Sequence, residues 1–122
     1  AVLHSLAAAL GPWALSHPSR WVARNALTDF AWHAAQRERL HAAAARLDVL
    51  LDMRFATGEQ GGAGTALFRY RTTPHAADWQ AALAQRGVLV RHFAEPAALR
   101  FGLPASEVDW RRLTDRLKGI VV

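Results

Sequence analysis

Two arginines interrupt apolar stretches of the kind that form buried strands. Arg100 lies within residues 99–103, where a two-residue period places it on the same face as Gly102 and opposite to Leu99 and Phe101. Gly102 removes bulk beside the arginine and leaves room for a ligand. The planar guanidinium suits a carboxylate, because it can donate two parallel charge-assisted hydrogen bonds. Spacing alone favours a plainer interpretation, in which Arg100 is a solvated charge on an edge strand.

Arg91 has a similar setting in residues 88–93, where it shares a face with Leu89 and Phe93. An arginine near the end of a buried strand can reach a cleft at the edge of the sheet, although a charge there also simply marks the end of a strand. Two arginines that converge on one cleft would suit a doubly anionic substrate. Neither arginine alone decides between these interpretations; the functional one requires that adjoining strands present Arg91 and Arg100 into a shared anion pocket.

Other candidate motifs carry less chemistry. The Gly-rich residues 58–64 precede a predicted strand and lack the Lys-Ser/Thr pair of a phosphate loop. The histidines have no metal-ligand spacing, and we predict no metal site. Asp29 and His33 are four residues apart on a predicted helix, which is ordinarily a surface pair. The five tryptophans are most simply core or interface anchors, since they do not cluster with the arginines as a nucleic-acid surface would require.

Composition points to one globular domain without disulfides. The 122 residues include no cysteine, which fits the reducing cytoplasm, and no apolar run long enough to span a membrane. The net charge of +5 comes from scattered arginines, and Lys118 is the only lysine. We interpret this charge as solvated helix faces. Because the only methionine is Met53, we expect the chain to be a piece of a longer protein.

The pattern of elements predicts an α/β (α+β) fold. A short helix stops at Gly11, Ser16 caps the next helix, and residues 17–54 keep helical periodicity without a Gly or Pro after the first turn. That run would be about 50 Å long, so either it kinks or it extends past a compact domain of this size. A connecting helix between two domains is the favoured interpretation. Residues 55–122 then predict a small, mainly antiparallel sheet of about three strands covered by helices. The predicted strands are 66–71, 88–93 and 99–103. A helix over 74–86 should end at Gly87, and a last helix should begin at Ser106, with Asp109 three residues on as a capping-box-like pair. The buried stripe of that last helix would be Trp110, Leu113 and Leu117.

Several motifs resemble the threonine-phosphate decarboxylases of cobalamin synthesis, which are pyridoxal-phosphate enzymes of the aminotransferase fold. The matching segments extend over nearly the whole chain, and the resemblance rests on their order and spacing together. The matching segments are GPWALS at 11–16, ALTDFAW at 26–32, RLD with LL at 46–51, T-x-LFR at 65–69, LA with GVLVR and F at 83–93, and LRFGLP at 99–104.

The resemblance implies a small C-terminal domain, which would close over a substrate held by a separate large domain. Residues 1–16 would be the end of that large domain and the junction, residues 17–54 the connecting helix and residues 55–122 the small domain. Arg100 would grip the substrate carboxylate, and Arg91 would lie near its phosphate. The cofactor lysine of the family is missing, and Lys118 cannot substitute for it.

The resemblance also implies pyridoxal phosphate bound outside this chain, an amino-acid phosphate substrate, and a homodimeric, cytoplasmic parent enzyme without nucleic-acid or membrane partners. The chain alone would be inactive. Aminotransferases of the histidinol-phosphate type share a similar arginine pair and remain an alternative. Two non-enzymatic alternatives are a binding module that uses its arginines on nucleic acid and an interaction domain that docks through the long helix.

Overall fold

A computed structural model describes residues 2–11, 14–55 and 63–121, and the chain divides into two compact units, residues 1–35 and residues 36–122. Five helices and four strands are described. They are α1 (Val2–Leu10), α2 (His17–Thr28), α3 (Phe30–Asp52), β1 (Ala63–Gly64), β2 (Phe68–Thr72), α4 (Ala76–Gln85), β3 (Arg91–Phe93), β4 (Ala98–Gly102) and α5 (Glu107–Leu117). None of these helices is both long and apolar enough to cross a membrane.

The first unit contains α1, α2 and the beginning of α3. The predicted cap is confirmed, because Ser16 Oγ accepts a hydrogen bond from Ser19 N at 3.3 Å and a proline occupies the first turn of α2. No residue of α1 or α2 is buried. These two helices therefore lie within the first unit without forming a core there.

The prediction of one unbroken helix over residues 17–54 is wrong at Asp29. This residue has φ −81° and ψ 76°, outside the helical region, and separates α2 from α3. Its Oδ1 accepts a hydrogen bond from Trp32 N at 2.9 Å and so caps α3. Short carboxylate side chains compete in this way with the helical hydrogen bonds. His33, predicted to pair with Asp29, instead has Nε2 3.0 Å from Ala26 O.

The second unit confirms the predicted α/β fold, with a sheet of four strands where about three were expected. The sheet is antiparallel, in the order β1-β2-β4-β3. One face of β4 packs against helices, because Leu99 and Phe101 belong to a core with residues of α3, α4 and α5. The principal helical members of this core are Leu47 and Leu51, Trp79 and Leu83, and Trp110, Leu113 and Leu117.

Local hydrogen bonds make two strands shorter than predicted. Gly87, at φ +75°, terminates α4 as expected, and Val88 N then donates to Leu83 O at 2.9 Å, so Val88 completes the helix end and β3 begins only at Arg91. Strand β2 begins at Phe68 because Thr65 N donates to Phe68 O at 2.9 Å and closes a turn from β1. A Cβ at Gly64 would lie 2.3 Å from that same carbonyl oxygen, so this turn requires glycine.

Helix α5 is held at both ends. Ser106 Oγ accepts from Asp109 N at 3.2 Å, which confirms the predicted cap. At the other end, Arg54 Nε donates to Leu117 O at 2.9 Å, and Arg86 donates to the carbonyl oxygens of residues 116, 118 and 119. Cations near a helix C-terminus satisfy its unpaired carbonyls and complement the helix dipole. The predicted stripe faces the core as a result.

Candidate anion-binding site

The register of the sheet places the two predicted arginines directly opposite each other. Arg91 of β3 pairs with Arg100 of β4, and Arg100 pairs on its other side with Tyr70 of β2. Residues that are directly opposite on antiparallel strands project from the same face. The structure thus brings Arg91 and Arg100 together on one face of the sheet.

This face is opposite to the one that packs against the helices, and it is open around the two arginines. Leu99 and Phe101 alternate with Arg100 along β4 and are buried in the core, whereas Arg100 is half-buried and Arg91 is exposed. We call the part of this face around the two arginines the arginine face, which consists of Phe68, Tyr70, Arg91, Phe93 and Arg100. Ala98, farther along the same side of β4, is buried. A Cβ at Gly102 would meet no atom within 4 Å, so the space beside Arg100 is open.

Both guanidinium groups lie over aromatic rings. Cζ of Arg100 is 4.3 Å from the centre of the Phe68 ring, and Cζ of Arg91 is 5.3 Å from the centre of the Phe93 ring. No acidic side chain in the described part of the chain forms an ion pair with either arginine. Their hydrogen-bond donors are therefore not taken up by a carboxylate of residues 2–11, 14–55 or 63–121.

The arginines of β2 contrast with this pair. Arg69 and Arg71 face α3, where Arg71 Nη2 is 2.8 Å from Asp48 Oδ1 and 2.8 Å from Asp52 Oδ1, and Arg69 Nε is 2.7 Å from Asp48 Oδ1. We call these four residues the ion-pair cluster. Arg71 is 4% exposed, and its buried Nε has no hydrogen-bond partner among the residues that the structure describes. The cluster joins α3 to β2 and leaves no guanidinium open to a ligand.

Charge balance explains the ionisation of Asp48. Burial alone would raise the pKa of this carboxyl group, but the hydrogen bonds from Arg69 and Arg71 and the attraction of their charges outweigh it. The pKa of Asp48 is therefore lower than usual. The ion-pair cluster was missed from sequence, although its spacing was a usable signal: two acids four apart on a helix and two arginines two apart on a strand.

The aromatic members of the arginine face were also missed as partners of the arginines. Phe68 and Tyr70 alternate at period two in β2, which places them on one face. The Tyr70 and Phe93 ring centres are 5.7 Å apart. Sequence alternation could have grouped Phe68 with Tyr70, but only the pairing of β2 with β4 places them beside Arg100.

Cavities lined by described residues lie elsewhere in the second unit. One of about 590 Å³ is lined by α3 and the start of α5, where Arg46 binds Glu107 and its Cζ lies 4.3 Å from the Trp110 ring centre. Another of about 320 Å³ borders Gly102. Arg91 and Arg100 line neither of them. Arg91 is exposed and the space beside Arg100 is open, so the described residues present the two arginines on an open surface.

The described residues do not fit pyridoxal phosphate. A covalent site for this cofactor needs a lysine amino group within reach of it. Lys118 caps the end of α5, and its Nζ is 3.0 Å from Asp115 Oδ1. Because α5 packs on the core face of the sheet, Lys118 is separated by that sheet from the arginine face.

Comparison with known proteins confirms the resemblance seen in the motifs. The chain is 45% identical over 118 residues to the threonine-phosphate decarboxylase of Pseudomonas aeruginosa strain PAO1. The aligned region covers 97% of this chain and 35% of that protein, so the chain spans about a third of its relative's length. No protein-family model matches the chain.

Proposed function

We propose that this chain is the small-domain part of a threonine-phosphate decarboxylase in cobalamin synthesis, and that Arg100 and Arg91 bind the two anionic ends of the substrate. The pairing of Arg91 with Arg100 on the arginine face, without carboxylate partners among the described residues, carries the proposal. The identity to the Pseudomonas decarboxylase supports the reaction. Threonine O-3-phosphate would lose carbon dioxide and leave an aminopropanol phosphate.

The role of the arginine face is to position the substrate. Arg100 would hold the carboxylate with two charge-assisted hydrogen bonds, and Arg91 would attract the phosphate. Two anions held at separate points restrict the rotation of the substrate and orient the carboxylate for departure. Neither arginine transfers a proton in this scheme, because a guanidinium stays protonated at physiological pH.

In our proposal this chain supplies only part of the enzyme. Residues 1–16 would belong to the large domain and the junction, residues 17–54 would connect, and residues 55–122 would form the small domain. The exposed side chains of Trp21 in α2 and of Phe30 and Trp32 at the start of α3 support a contact surface in the connecting region. Pyridoxal phosphate would be held by the large domain, and the complete enzyme would be a cytoplasmic homodimer. The chain alone would be inactive.

The test is Arg100→Ala in the complete enzyme, assayed with threonine phosphate. Each lost charge-assisted hydrogen bond is worth roughly 1.5–3 kcal/mol, so we expect kcat/KM to fall by about 100-fold or more. Cofactor absorbance should be unchanged, because the arginine would touch only substrate. Arg37→Ala, on an exposed part of α3, is the matched control. An unchanged kcat/KM for Arg100→Ala would overturn the proposal.

Product analysis of the unmodified enzyme separates decarboxylation from transamination. The arginine pair is also suited to an aminotransferase that acts on a phosphorylated amino acid. We expect carbon dioxide release from threonine phosphate without transfer of the amino group to a 2-oxo acid. Amino transfer without carbon dioxide release would leave the arginine assignment intact but would identify the enzyme as an aminotransferase.

A further inference from the structure

The two guanidinium groups of the arginine face are supported by rings from two different strands. Phe68, on β2, lies under Arg100, and Phe93, on β3, lies under Arg91. Both Cζ-to-ring distances are within the range of about 6 Å in which a cation is attracted to the face of an aromatic ring. Strand β4 runs between β2 and β3, so each ring serves a separate arginine.

We propose that Phe68 and Phe93 are positioning residues that hold Arg100 and Arg91 apart, each with its donors available to a different anion of the substrate. This inference rests on the proposed function of the arginine pair. A guanidinium donates hydrogen bonds from its edges, in its own plane, whereas an aromatic ring contacts its face. A ring can therefore orient an arginine without using its donors. The carboxylates of the ion-pair cluster do use the donors of Arg69 and Arg71.

Like charges explain why such support is needed. Directly opposite cations on paired strands repel each other, and Arg91 and Arg100 are opposite. A long, unsupported arginine also loses rotamer freedom when it binds an anion, and a side chain that is already held loses less. Phe68 attracts Arg100, and Phe93 attracts Arg91. The two rings thereby offset the repulsion between the cations and restrict each arginine side chain before an anion binds.

The ring under Arg91 is itself held in place. The Phe93 and Tyr70 ring centres are 5.7 Å apart, a separation typical of interacting aromatic pairs. Phe93 thus contacts Arg91 and the ring of Tyr70, which is the residue opposite Arg100. An aromatic ring therefore contacts each arginine, and no carboxylate of the described residues forms an ion pair with either of them.

The experiment measures anion binding in the complete enzyme, with acetate and inorganic phosphate as competitive inhibitors against threonine phosphate. Phe68→Leu keeps an apolar side chain but removes the aromatic face. We expect it to raise the inhibition constant of acetate about fivefold, within the range for a cation–π contact, and to leave that of phosphate within about twofold. Phe93→Leu should do the reverse. Phe68→Tyr and Phe93→Tyr should restore binding.

A double-mutant cycle separates positioning from a general structural role. If Phe68 acts through Arg100, then Phe68→Leu should cause no further loss in an Arg100→Gln background. Leu67→Ala, at an exposed neighbouring position, is the control for local disturbance, and Phe68→Met is a second non-aromatic variant. Equal losses in both backgrounds, or no effect of either leucine variant, would overturn the inference while the arginine assignment stands. An unchanged kcat/KM for Arg100→Ala would overturn both the arginine assignment and this inference.

Discussion

The two units of this chain are both rich in apolar side chains, but only one of them buries these side chains. In the described part of residues 1–35, every residue is exposed or half-buried, including Trp21 and Phe30. In residues 36–122, leucines and aromatic residues of three helices pack on one face of a sheet. The helices of the first unit are held by caps and backbone hydrogen bonds and do not bury a core. A core required the second layer that the sheet provides.

The sheet shows the same contrast between its two faces. The face toward the helices has its arginines neutralised by Asp48 and Asp52, whereas the charges of the arginine face contact aromatic rings and have no carboxylate partner in the described part of the chain. Neutralised, buried charges hold elements together, and charges with unused donors are suited to bind an external anion. The difference indicates that the first face is structural and the second is the candidate functional surface.

The largest expected effect tests where the core lies. Phe101→Ala should lower the free energy of unfolding by roughly 3–5 kcal/mol, because Phe101 is 1% exposed and its removal leaves a cavity. Phe30→Ala, at 75% exposed, should change it by less than about 0.5 kcal/mol. Urea unfolding followed by far-UV circular dichroism measures both. Similar losses in the two variants would mean that the units do not differ as described.

A smaller effect, with a pH dependence, tests the ion-pair cluster. Asp48→Asn should destabilise the chain by about 3 kcal/mol at pH 7, because it leaves the buried Arg71 with less compensation. The folded pKa of Asp48 is lowered, so its contribution is complete above the unfolded pKa of about 3.9 and is lost as the pH falls through the folded value. The urea midpoint of the unmodified chain should therefore fall in acid more steeply than that of the variant.

Asp115→Asn is the control for that experiment. Asp115 pairs with Lys118 on the exposed side of α5, where both side chains are mostly solvated. Such surface pairs contribute little to stability. If Asp115→Asn lowers the free energy of unfolding as much as Asp48→Asn does, the structural role of the ion-pair cluster is contradicted.

The smallest expected effect comes from a glycine with positive φ in each unit. Gly11 and Gly87 have φ values of +71° and +75°, and a Cβ at either position would meet no atom within 4 Å. Alanine should therefore act only through the backbone, at a cost of about 1 kcal/mol. Gly87→Ala should lower the thermal midpoint of residues 36–122. Gly11→Ala should leave that transition unchanged and reduce helicity only in the first unit, as site-resolved hydrogen exchange would show.

Local sequence signals determined much of the second unit. Ser106 with Asp109 predicted the start of α5, Gly87 predicted the end of α4, and the alternation around Arg100 predicted which side of β4 is buried. Each of these features depends on residues within one turn or one strand. The break at Asp29 was missed, although its signal is equally local, because a carboxylate that caps a helix looks the same in sequence as one on a helix surface.

Contacts between distant segments could be decided only by the tertiary structure. The sequence by itself determined that Arg91 and Arg100 each lie in a strand and that Arg100 alternates with the apolar residues Leu99 and Phe101. Their placement opposite each other, the rings of Phe68 and Phe93 beneath them, and the pairing of Asp48 with Arg71 all depend on strand register and on how α3 crosses the sheet. Register joins residues far apart in the chain, and a shift by one residue would turn every side chain to the other face.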